Sequence, residues 1–275
     1  MSRRVSRWAL TVPLALTLAA GLSGCGSSDS ATPAPAAPAA SGSTAPTAPS
    51  SEVTTLTVFA AASLTGTFTE LGKAFETAHP GTTVRFNFGS SATLAQQIVE
   101  GAPADIFAAA SPAAMKTVTD ASLAGAPITF VRNSLQIAVP ADNRAKVDDL
   151  ADLADPKIKV ALCAEQVPCG AAAAKALDAA GLKVTPVTLE QDVKATLTKV
   201  ELGEVDAALV YRTDVLASGG KVQGIDFPES GKATNDYPIA SLSRAPAPEA
   251  AERFVDLVLS QQGKDVLTKA GFQTP

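Results

Sequence analysis

The chain has 275 residues, 46% of them hydrophobic and 18% charged, with 22 basic against 27 acidic side chains, one histidine and three cysteines. A formal charge of −5 argues against a nucleic-acid partner, because phosphate backbones select basic surfaces. A single histidine leaves little material for metal ligation or base catalysis.

Arg3, Arg4 and Arg7 precede an apolar core from Trp8 to about Ala20, followed by small residues, which is the order of a secretory signal peptide. The core is too short for a permanent span of about 20 residues. The stretch "LSGC" from Leu22 to Cys25 resembles the bacterial lipoprotein signal. Residues 1–24 are therefore expected to be cleaved, leaving Cys25 to carry lipid. Each buried methylene adds about 0.8 kcal/mol, and more than one acyl chain is needed for stable anchoring. Residues 25–53 are Ala, Pro, Ser and Thr with almost no large apolar group, a composition that cannot repay the entropy of folding and suits a flexible tether. The body is expected on the outer face of the cell membrane.

The body then alternates strands and helices. "TTLTVFAA" reads as a strand, and Leu64, Phe68, Leu71 and Phe75 recur at helical spacing. His79 and Pro80 stop that helix, and Val84, Phe86 and Phe88 start a strand with one apolar face. A helix from about Ala92 to Glu100, the strand "ADIFAAA" and a helix opening at "SPAAMK" follow. The pattern resumes with "SLQIAVP", "KIKVALC", the helix "GAAAAKALDAA", a short strand in "KVTPVT", a helix from Asp192 to Leu202, and "DAALVY". "YPIASL" gives a last strand before two closing helices. This order predicts an α/β fold of two lobes with mostly parallel sheets covered by helices. The chain leaves the first lobe (54–131) near Val131, builds the second (132–236), and returns near Tyr237 to complete the first (237–275). The cleft between lobes is the default ligand site.

Three strand-to-helix loops are rich in small donors. Ser63 in "FAAASL", Ser90 and Ser91 in "FGSSATLAQQ", and Cys169 and Gly170 in "VPCG" all stand at helix starts. Free N–H groups at helix N-termini carry partial positive charge and form anion sites. Each serine alone could equally be an N-cap worth about 1 kcal/mol; together they favour an anion held by neutral donors. Asp105 and Asp214 read as acceptors that fix loops. There is no GxSxG elbow and no phosphate-binding loop with its lysine, so no catalytic residue is assigned. Cys163 and Cys169 remain as a pair once Cys25 is lipidated, and export to an oxidising compartment leads us to expect a disulfide, the alternative being two buried thiols.

The ordered set "VFAAASL", "FNFGSSATLAQQIVEGAPADIFAAA", "NSLQIAV", "VPCG", "GEVDAALVYRTD" and "YPIASL" resembles the periplasmic molybdate-binding proteins of ABC importers, from Leu56 to about Ala270. The resemblance implies a two-lobed type II binding-protein fold with two hinge strands, molybdate or tungstate as cargo, no cofactor, and a membrane permease as partner. It also implies a ligand shell of Ser63, Ser91, the backbone N–H groups of Cys169 and Val193, and the hydroxyl of Tyr211. Cys169 stands where the family usually has alanine, which leaves the backbone donor intact. The body is expected to be monomeric. The rival readings are a binding protein for sulfate or another tetrahedral oxyanion, an adhesion or interaction module, and an enzyme, which would need a nucleophile or base that these loops lack.

Overall fold

The structure, a computed structural model, describes residues 53–275; the expected signal peptide, Cys25 and the tether up to residue 52 lie outside the described residues. The first sheet holds β1 (Thr54–Ala61), β2 (Thr82–Gly89), β3 (Ile106–Ala108), β4 (Ile128–Asn133) and β10 (Asn235–Ser241), in the order β2-β1-β3-β10-β4. The second holds β5 (Leu135–Pro140), β6 (Val160–Cys163), β7 (Thr188–Glu190), β8 (Ala207–Tyr211) and β9 (Val222–Ile225), in the order β7-β6-β8-β5-β9. In each sheet the strands joined through helices pair in parallel. The strands nearest the crossings run antiparallel: β10 against β3 and β4, and β5 against β8 and β9. The sheets are therefore mixed, because a chain that leaves a lobe and comes back adds its return strand in the opposite sense.

The chain crosses between sheets at Ser134, between β4 and β5, and again on entering β10 at Asn235. Val131 and Tyr237 face each other in the β4–β10 ladder. These two adjacent strands carry both crossings, the position expected for the two hinge strands.

Helices α1 (Thr65–Ala78), α7 (Pro248–Leu259) and α8 (Gln261–Lys269) cover one face of the first sheet, and α2 (Ser91–Val99) and α3 (Pro112–Asp120) cover the other. The stripe read from the sequence is the contact face of α1: Leu64, Phe68, Leu71 and Phe75 are all buried, each contributing about 1.5–3 kcal/mol relative to exposure. Phe68 and Phe75 meet Phe254 of α7 at centroid distances of 6.0 and 5.4 Å. The second sheet packs with α4 (Pro168–Ala180) and α5 (Val193–Glu201) around Ile137, Leu209, Ala176 and Leu197. Two elements escape a reading of periodicity: α6 (Arg212–Ala217) has only six residues, and β9 alternates poorly, with Gln223 and Gly224 exposed. The short strand expected in "KVTPVT" forms instead at β7, beyond Pro186, a residue with no N–H to give a ladder.

Cys163, the last residue of β6, is disulfide-bonded to Cys169 in the first turn of α4. The bond and Gly170 act on the same turn. A Cβ at Gly170 would lie 2.0 Å from the carbonyl oxygen of Ala164, so only glycine lets the start of α4 sit against the end of β6. Closing this short loop stabilises the fold by about 2 kcal/mol. Replacing Cys163 and Cys169 together by alanine should lower the unfolding free energy by about that amount in urea titration, and leave the backbone N–H at position 169 in place. An unchanged midpoint would show that the crosslink does not constrain the turn.

Candidate functional site

The carboxyl ends of the parallel strands of both sheets converge on one small cavity, the location at which open α/β sheets take ligands. The first sheet supplies Ala61 to Ser63 after β1, Gly89 to Ser91 after β2, and Ala110 after β3. The second supplies Val167 to Cys169 after β6, Asp192 and Val193 after β7, and Tyr211 at the end of β8. All five residues expected to face a ligand, Ser63, Ser91, Cys169, Val193 and Tyr211, stand in this wall. The cavity measures about 20 Å³. One water needs roughly 10–15 Å³ by comparison, so the space suits one small polyatomic ion.

Helices α1, α2, α4 and α5 begin at the wall, and their first-turn N–H groups lack intrahelical partners. The side chains do little to use them up. The hydroxyls of Ser63 and Ser90 make no capping bond to α1 or α2, and Val167, which precedes α4, has no capping group. Asp192 does cap α5, accepting from the N–H groups of Lys194 and Ala195 at 2.8 and 3.0 Å, but it passes over Val193. The N–H of Val193 is thus left free at the cavity edge. Asp192 also lines the wall, with its Oδ1 engaged by those two donors.

The hydroxyls are oriented by what stands behind them. Ser91 Oγ accepts from the backbone N–H of Ala110 at 2.9 Å, and a backbone N–H can only donate, so the serine proton is directed elsewhere. Asn235 Nδ2 lies 2.9 Å from the carbonyl of Ala110 and 2.7 Å from Tyr211 Oη. Ser63 Oγ is 3.0 Å from Tyr237 Oη, and Tyr237 in turn accepts from Asn133 Nδ2 at 3.4 Å. Either hydroxyl of the Ser63–Tyr237 pair can be the donor; when Tyr237 donates, the serine proton is free for the cavity. Burial pushes both phenols above their ordinary range, Tyr211 furthest, so both remain protonated donors. Ser90 Oγ is buried without a partner among the described residues. The sequence offers no site role for Asn133, Asn235 or Tyr237; the two asparagines stand at the ends of strands, where asparagine ordinarily signals a turn.

The carboxylates serve the scaffold. Asp105 is fully buried and accepts from the N–H groups of Thr57 at 2.7 Å and Ala247 at 2.6 Å, pinning β1 to the start of α7. His79 stacks on Phe75 at 4.3 Å, away from the cavity. Among the described residues no group of three or more His, Cys, Asp or Glu side chains is placed to hold a metal cation.

Asp214, at the start of α6, is fully buried, accepts from the N–H of Tyr211 at 3.3 Å, and pairs with Lys194 Nζ at 3.1 Å. Burial raises its carboxyl above the ordinary value, and Lys194 opposes the rise. Removing the lysine leaves a buried carboxylate alone. Lys194→Met should therefore lower stability at neutral pH by about 1–3 kcal/mol, below the loss for a fully buried pair because the ammonium side chain is 36% exposed. A raised carboxyl pKa makes protonation favour the folded state, so the deficit should shrink as pH falls through the folded value. Urea titrations of both proteins at neutral and acidic pH check this; a deficit independent of pH would mean that Asp214 is not the group responsible.

A family profile described as bacterial extracellular solute-binding protein matches residues 56–273. A molybdate-binding protein of Mycobacterium tuberculosis is 40% identical over 259 residues, covering 94% of this chain and 95% of that one. Among solved structures, a periplasmic molybdate-binding protein of Azotobacter vinelandii superposes with a TM-score of 0.70 at 20% identity, covering 80% of this chain and 99% of that one. A sulfate-binding protein of Mycobacterium tuberculosis superposes with a TM-score of 0.67 at 19% identity, covering 80% and 87%. These two likenesses establish the two-lobed fold. With its profile matched over nearly the whole body and a close relative aligned along almost its full length, the chain belongs to the bacterial extracellular solute-binding protein family.

Proposed function

We propose that the protein captures molybdate, and tungstate with it, outside the cytoplasmic membrane and hands it to the permease of an ABC importer, held to the membrane by lipid on Cys25. The observation that carries this reading is the one-sided polarity of the cavity. Ser91 and Tyr211 each accept from a protein N–H donor, and Ser63 faces the hydroxyl of Tyr237, so each can turn a proton inward. The N–H groups of Cys169 and Val193 add backbone donors at helix starts. Such a shell suits a tetrahedral dianion that carries no proton of its own. The name of the 40% identical relative supports molybdate as that dianion.

The same polarity disfavours hydrogen phosphate, whose remaining proton meets a wall of donors with Asp192 as its one carboxylate, and a proton buried unpaired costs about 1–3 kcal/mol. Sulfate carries no such proton, and only the size of the cavity separates it from the larger molybdate. Donors come from both lobes, so bound ligand favours the arrangement in which the lobes are together.

Calorimetric titration of the ligand-free body with molybdate, tungstate, sulfate and phosphate tests the reading. The expected result is tight binding of molybdate and tungstate, weaker binding of sulfate, and phosphate at least tenfold weaker still. Sulfate binding tighter than molybdate would reassign the cargo. Ser91→Ala should weaken molybdate about 10- to 100-fold, as loss of a hydrogen bond to a charged partner does. It should weaken it more than Ser90→Ala, because it also strands the N–H of Ala110. A larger effect at Ser90 would place the inward donor one residue earlier.

A further inference from the structure

We infer that Asn235 is a positioning residue for the anion: it fixes the direction of the Tyr211 proton, and it does so only while the two lobes are together. The inference rests on the oxyanion-binding reading of the cavity and adds to it a residue on the hinge. Asn235 is the first residue of β10 and is buried. Its Nδ2 lies 2.9 Å from the carbonyl oxygen of Ala110 and 3.4 Å from that of Pro168. Backbone carbonyls only accept, so the group facing them must be the NH2 and not the amide oxygen. That settles the orientation of the amide.

The consequence falls on Tyr211. Its Oη is 2.7 Å from the same nitrogen, and an amide nitrogen has no lone pair to offer. The phenol oxygen must therefore be the acceptor, and its only proton is turned away from Asn235. Burial holds that proton on the oxygen, and Tyr211 stands in the cavity wall. A tyrosine with no donor behind it could rotate its hydroxyl to donate to a protein carbonyl instead. Asn235 closes one of the directions open to that proton before the ligand arrives, and preorganisation of this kind raises affinity by lowering the ordering left to be done.

The amide has two protons and its two short contacts lie on different lobes, Ala110 in the first and Tyr211 in the second. Separation of the lobes breaks one of them. Asn235 also faces Asn133 across the hinge ladder, and Asn133 is held the opposite way round. Its Oδ1 accepts from the N–H of Ser134 at 3.1 Å, which leaves its Nδ2 for Thr213 and Tyr237. A pair of asparagines on the hinge thus stands behind the two buried tyrosines, and Asn235 acts on the one that lines the cavity.

The test is a double-mutant cycle on affinity, using Asn235→Ala, Tyr211→Phe and the two together, read by calorimetry. Near-ultraviolet circular dichroism of each variant checks that it is folded. Asn235→Ala should weaken binding about tenfold, the effect of one hydrogen bond to a charged partner. In the Tyr211→Phe background the same change should cost no more than about twofold, because there is no hydroxyl left to orient. Equal loss in both backgrounds would overturn the inference and make Asn235 a scaffold residue only. Should Asn235→Ala fail to fold, the similarly sized, donor-free Asn235→Leu carries the same cycle with the same expected losses. The cycle is run with whichever of molybdate, tungstate and sulfate the wild-type protein binds, which separates an error about the cargo from an error about Asn235. A wild-type protein that binds none of the three would refute the inference together with the proposed function.

Discussion

A hydroxyl can serve an anion only if its proton points at it, and in a buried site that direction is decided by what the oxygen accepts from behind. This constraint organises the centre of the molecule. Ser91 leans on the N–H of Ala110, Tyr211 on the amide of Asn235, and Ser63 on Tyr237. The partners come from strands and loops other than those bearing the hydroxyls, so the polarity of the cavity is a property of the assembled sheets and hinge. Remove any one backing donor and the corresponding hydroxyl is free to turn.

The rest of the fold keeps those partners in place, and Asp192 is the one carboxylate in the cavity wall, its Oδ1 engaged by the N–H groups of Lys194 and Ala195. Each sheet directs the carboxyl ends of its parallel strands inward, so the helices that follow begin at the wall, and of them only α5 has its first turn capped by a side chain at the wall, that of Asp192. The disulfide and Gly170 fix one of these starts. Asp105 ties β1 to α7, and the Asp214–Lys194 pair holds the start of α6 beside Tyr211. Those carboxylates are engaged by N–H groups or by an ammonium. An acidic protein can therefore hold an anion in a pocket walled mostly by neutral donors.

Much of this was legible in the sequence, and for identifiable reasons. The stripe of Leu64, Phe68, Leu71 and Phe75 has a period that only a helix satisfies, and small hydroxyl residues after β-branched runs mark strand-to-helix turns. Both read locally. The antiparallel return strands did not read, because the sense of a strand depends on which neighbour it meets and not on its own residues. The roles of Asn133, Asn235 and Tyr237 were hidden for the same reason. Asn235 lies 24 residues from Tyr211 and 125 from Ala110 in sequence, and no spacing rule connects such positions. An asparagine at the end of a strand looks like a turn until the hinge ladder brings it against a phenol.

The central claim is about where protons lie, so the most direct test is one that sees them. Joint neutron and X-ray diffraction from a deuterated crystal of the molybdate complex would locate the hydroxyl deuterons. The account predicts those of Ser63, Ser91 and Tyr211 directed at the anion, with Tyr237, the N–H of Ala110 and the amide of Asn235 donating to the three oxygens. A Tyr211 deuteron directed at Tyr237 or at a protein carbonyl, with the anion facing the phenol lone pairs, would contradict it.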